Sequence, residues 1–178
     1  MCVRVLLPHA QVFHLLGNFL PHILLTHWGM TFARSGVASS LMALLPALLS
    51  PLLGYLADSS GRQLEACLTA ALATCLAYAL LLLAPAVTPV LPILLLSMGT
   101  TLIPTVSLAL VPLCIPSDAY GLAYGSMEVV DSLGLMMGNY VFGVLFKATH
   151  SYIPGMAGLA GLSVVGLALF GTLLWLDT

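Results

Sequence analysis

The residues best suited to chemistry stand in GSMEVVDSLG, residues 125–134, where Glu128 and Asp131 lie three positions apart inside an otherwise apolar run. On a helix this spacing puts both carboxylates on one face, and at about 100° per residue Tyr124 and Asn139 fall on the same face. By rise per residue the acids sit about 15–20 Å into the segment, near the middle of a bilayer. There each charge costs at least ~2.5 kcal/mol on insertion scales. The cost is met by a wet face, by a paired cation or by neutralisation. No Lys or Arg stands at that depth to pair with them. A proton or a bound cation is the remaining answer, and Glu128 and Asp131 are read as a proton- or cation-coupling pair. The competing reading is a static polar seam.

A second polar stripe runs along the first apolar segment. Gln11, His14, Asn18 and His22 recur at i, i+3, i+7 and i+11, a single helical face. Four polar groups in one line are too many for lipid, so they should face a cavity or another helix. His14 and His22 could also exchange protons with the acids. In SMGTTLIPTVSLAL, residues 97–110, Thr101 and Thr105 are candidates for solute contact, although hydroxyls there also serve the backbone that Pro104 interrupts. Gly121, Gly125, Gly134 and Gly138 are read as the small side of the acid-bearing helix, open to close packing.

These groups must be held by membrane helices. Of the 178 residues 61% are hydrophobic and 6% charged, against about 25% charged in soluble domains, so lipid is the solvent for most of the chain. Six segments are long enough to span, near 3–28, 36–56, 64–84, 90–115, 118–146 and 153–176. Short connections make neighbours antiparallel. The apolar runs are twice the length of a barrel strand and do not alternate, which leaves helices as the way to satisfy the backbone in lipid. Prolines interrupt the first, second and fourth segments; the third and sixth are smooth. The expected fold is all-α and multi-pass, residues 1–178 forming one bundle of six transmembrane helices in a 3+3 repeat.

Several classes are excluded by what the sequence lacks. There is no basic run for nucleic acid, no Gly-x-Ser-x-Gly or His-Glu-x-x-His, and no phosphate-cradling loop, so neither enzyme activity nor a cofactor is expected. Cys2, Cys67, Cys75 and Cys114 form no metal-ligand cluster and no disulfide framework. The start reads as a mature helix and not a signal peptide. Arg4 and Arg62 fall at one end of the bundle, Arg34 and Lys147 at the other, so the positive-inside rule returns a tie.

The connection GYLADSSGRQ, residues 54–63, brackets a turn with Asp58 and Arg62 between Gly54 and Gly61. It resembles the loop signature of the major facilitator superfamily, G-x-L-A-D-x-x-G-R-[KR], with Ser59 and Gln63 standing where basic residues are usual. The helix count and the loop's place between the second and third helices agree. The fifth helix, with its Gly-x-Ala-Tyr-Gly and Leu-Gly-Leu pieces, is similar to that of the branch containing lysosomal dipeptide transporters. The resemblance implies half of a twelve-helix fold, namely its C-terminal half. It implies a gating role for Gly54, Asp58, Gly61 and Arg62, with that loop and both termini facing the cytoplasm. It also implies a cavity lined by the first and fourth helices, gating walls from the second and fifth, and lipid-facing third and sixth helices. The implied activity is secondary, proton-linked transport of a small organic solute in a lysosomal, vacuolar or plasma membrane, with a second half or second copy completing the cavity. The alternative is a non-transporting membrane subunit that binds another protein.

Overall fold

A computed structural model describes residues 2–60, 63–83, 88–114 and 116–177. They form α1 (Cys2–His27), α2 (Phe32–Ser60), α3 (Gln63–Leu83), α4 (Val90–Cys114), α5 (Tyr120–Thr149) and α6 (Ile153–Asp177), with a short 3-10 turn, Ser117–Ala119, before α5. No strand occurs among the described residues. Three helical stretches there are long and apolar enough to cross a membrane, Phe32–Leu56, Glu65–Leu83 and Ser117–Thr149; Val90–Thr105 and Ile153–Leu169 are apolar but shorter. The expectation of six spans therefore stands at six helices, three of them with described residues of span length.

The largest departure from the expected boundaries is α2. It runs through residues 32–35 and 57–60, stretches read from sequence as connections. Hydropathy marks the thickness of hydrocarbon, whereas a helix ends where something breaks it. Gly29 supplies such a break for α1: its φ of 60°, easy only without a Cβ, turns the chain so that the Met30 N–H reaches the Leu24 carbonyl at 3.2 Å.

α1 is the central helix. It buries Leu15, Leu16, Leu20, Ile23 and Leu24 against Met42 of α2, Tyr78 and Leu81 of α3, Ile93 and Leu96 of α4, Phe142 of α5 and Met156 of α6. A second cluster joins Cys67, Ala70 and Ala71 of α3 to Ile103 of α4. α3 and α4 approach closely here: a Cβ at Gly99 would overlap Thr74 Oγ1 and stand 2.8 Å from the Ala70 carbonyl oxygen. Each of α3 and α6 has two sides. α3 buries Tyr78 but exposes Leu72, Leu76 and Leu83; α6 buries Met156 but exposes Val164 and Val165.

α2 and α5 are the least buried helices. α2 shows a line of large apolar side chains, Val37, Leu44, Leu48, Leu52 and Tyr55, beside a strip of small exposed residues, Gly36, Ser40, Ala43 and Ala47. On α5 the glycines do not share one side. A Cβ at Gly138 would overlap the Leu15 side chain of α1, while Gly121 and Gly125 have nothing within 4 Å. Gly138 thus belongs to the side that carries Asp131 and Phe142, because 100° per residue brings positions 131, 138 and 142 together.

Candidate functional site

The two polar stripes foreseen on the first and fifth helices meet. Asn18 Nδ2 of α1 donates to Asn139 Oδ1 of α5 at 3.1 Å. Measured interhelical hydrogen bonds of this kind in membranes average about 0.6 kcal/mol, enough to set register without locking the pair. α1 turns its leucines inward, which leaves His14, Asn18 and His22 exposed in one line along the outside of the bundle. On α5 the face shared with Asn139 continues away from the buried Phe142 to the half-buried Asp131, the exposed Glu128 and the half-buried Tyr124. The acids therefore stand on the α1-facing side of α5, two to three turns before the Asn pair. The side chain of Gln11, at the start of the α1 stripe, lies outside the described residues.

At the other end of the stripe His22 is held by groups that the sequence reading did not select. Its Nδ1 lies 2.7 Å from the Tyr152 hydroxyl, and its ring meets Phe146 and Tyr152 edge-on, at centroid distances of 6.0 and 5.5 Å. Tyr152 itself stacks on Phe146 at 4.2 Å, and Phe19 stacks on Phe142 at 4.6 Å. Phe142 and Phe146 lie three and seven positions after Asn139, so their place on this face was readable. Tyr152 was not, because it sits in the α5–α6 connection. That turn is tight: His150 closes α5 with φ 51°, its N–H bonded to the Phe146 carbonyl at 2.8 Å, a left-handed position that His tolerates better than most residues. Burial pushes the Tyr152 hydroxyl above its ordinary pKa.

α4 presents its hydroxyls differently. Thr101 is buried and donates to the Ser97 carbonyl at 2.6 Å. Thr105 donates to the Thr101 carbonyl at 2.7 Å and lies 3.2 Å from Ser50 Oγ of α2. The carbonyl that Pro104 deprives of its N–H partner is that of Thr100, so these bonds serve its neighbours. Thr105 is half-buried at the α2–α4 contact, where a Cβ at Gly54 would come within 3.1 Å of its methyl group. Of the expected gating residues, Gly54 packs in this way. Gly61, Arg62 and the side chain of Asp58 lie outside the described residues.

Among the described residues no group of three His, Cys, Asp or Glu is placed to hold a metal. Apolar helices whose large side chains point outward, with polar groups gathered into seams, define an integral membrane protein. Residues 8–178 match the Major Facilitator Superfamily, and the chain belongs to this family of membrane transporters. A comparison with curated proteins returned no match. The match is to the superfamily as a whole and gives no support to the lysosomal dipeptide branch that the fifth-helix motif suggests.

Proposed function

We propose that this chain is one six-helix half of a secondary transporter that moves a small organic solute by alternating access, linked to protons. The observation that carries the reading is the polar seam between α1 and α5. His14, Asn18, His22 and Glu128 lie exposed on the bundle surface beside the Asn18–Asn139 bond. Polar side chains at membrane depth are stable where they line water or another protein. A second half, or a second copy of the chain, set against this side would enclose the seam as an aqueous path. The small strip on α2 and the open Gly121 and Gly125 on α5 suit close apposition there.

In this reading the helices keep the 3+3 arrangement, and Glu128 and Asp131 take up and release protons. His14, Asn18, His22, Tyr124 and Asn139, with Gln11 ahead of them, contact the solute. Thr105 ties α4 to α2 through Ser50, Thr101 bonds within α4, and the Asp58–Arg62 loop gates. The test is uptake into proteoliposomes by the purified chain under an imposed pH gradient. Glu128→Gln and Asp131→Asn should each abolish the pH dependence. Uptake unchanged and still pH-dependent in both variants removes the coupling role. No uptake by any oligomeric form moves the reading to a membrane subunit that binds another protein.

A further inference from the structure

At the end of the bundle away from both termini, Met30, Val37, Ala38, Leu41 and Val90 line an open groove of about 320 Å³, and Arg34 is the one charged residue among its described lining. Arg34 stands in the first turn of α2, where unpaired backbone N–H groups add partial positive charge. The charges of the whole chain are distributed to the same effect. By chain order Arg34 and Lys147 fall at this end with no Asp or Glu. The opposite end carries Arg4 and Arg62 against Asp58, Glu65, Asp118 and Asp177. The groove continues onto the exposed apolar line of α2 through Val37 and Leu44. From Arg34 to Leu44 is about 15 Å of helix, one leaflet's share of a ~30 Å hydrocarbon core.

We propose that this groove seats an anionic phospholipid, its phosphate gripped by Arg34 and one acyl chain lying along the Val37–Leu44 face. The planar guanidinium matches two phosphate oxygens at once, and the apolar walls take the chain. The inference rests on α2 crossing the bilayer and not on the transport reading.

The test is native mass spectrometry of the full chain titrated with phosphatidylglycerol or phosphatidylcholine of the same acyl chains. Phosphatidylglycerol adducts should be favoured about fivefold, the preference expected from one basic residue at an anionic surface. Arg34→Gln should bring the two lipids to parity, and because Arg34 is exposed the variant should keep its thermal stability. Lys147→Gln should keep the preference. The proposal is overturned if Arg34→Gln retains the preference, if Lys147→Gln removes it equally, or if glycerol phosphate displaces the lipid. It is also overturned if dimer formation excludes the lipid, which would assign the groove to a second copy.

Discussion

The close approach of α3 and α4 gives a sharp test of the packing. At Gly99 an added Cβ meets Thr74 Oγ1 and, behind it, the Ala70 carbonyl, which is fixed in the α3 backbone. Ordinary contact begins near 3.4 Å and the carbonyl is at 2.8 Å, so Gly99→Ala requires α3 and α4 to part by about 0.6 Å. Gaps of this size forfeit a quarter to a half of each dispersion contact along the seam, and overpacking typically costs about 1–3 kcal/mol. Alanine is also the better helix former by up to ~1 kcal/mol, which offsets part of the cost. Gly125→Ala has the same propensity gain and nothing within 4 Å to strike. The difference between the two variants therefore isolates the clash, and about 1–3 kcal/mol is expected, Gly99→Ala being the less stable. Reversible unfolding in mixed bicelles measures it. Thr74→Ala in the Gly99→Ala background should recover only part, because the carbonyl remains. If Gly99→Ala and Gly125→Ala unfold together, α3 and α4 are not in contact through these backbones and the described packing is wrong.

Other outcomes follow from single contacts. A double-mutant cycle on Asn18→Ala and Asn139→Ala should return a coupling of about 0.6 kcal/mol and no more than ~1.7; zero coupling would separate the stripes. Tyr152→Phe keeps the stack on Phe146 and loses the bond to His22, for about 0.5–1.5 kcal/mol of stability. Because burial raises the Tyr152 pKa in the folded chain, its contribution is whole below the ordinary tyrosine value near ~10 and declines as pH rises through the folded value. Tyr152→Phe should flatten that alkaline decline in a pH series of unfolding midpoints.

The amino-acid sequence by itself determined that lipid is the solvent, that six helices form and nearly where, and which faces of the first and fifth are polar. These follow from hydropathy, run length and the 100° step, all local properties. Even the family is legible in one ten-residue stretch, GYLADSSGRQ, through its resemblance to the loop signature of the superfamily. Only the tertiary structure decided which faces meet. Asn18 and Asn139 are 121 positions apart, and nothing in either neighbourhood encodes the other. Tyr152 reaches His22 only because the α5–α6 turn is short and left-handed at His150. Gly138 packs on Leu15 instead of forming a separate glycine side, since the angle that places it with Phe142 matters only once α1 is there to be touched. Pairing between distant helices depends on side-chain shape across a gap that neither helix can specify alone.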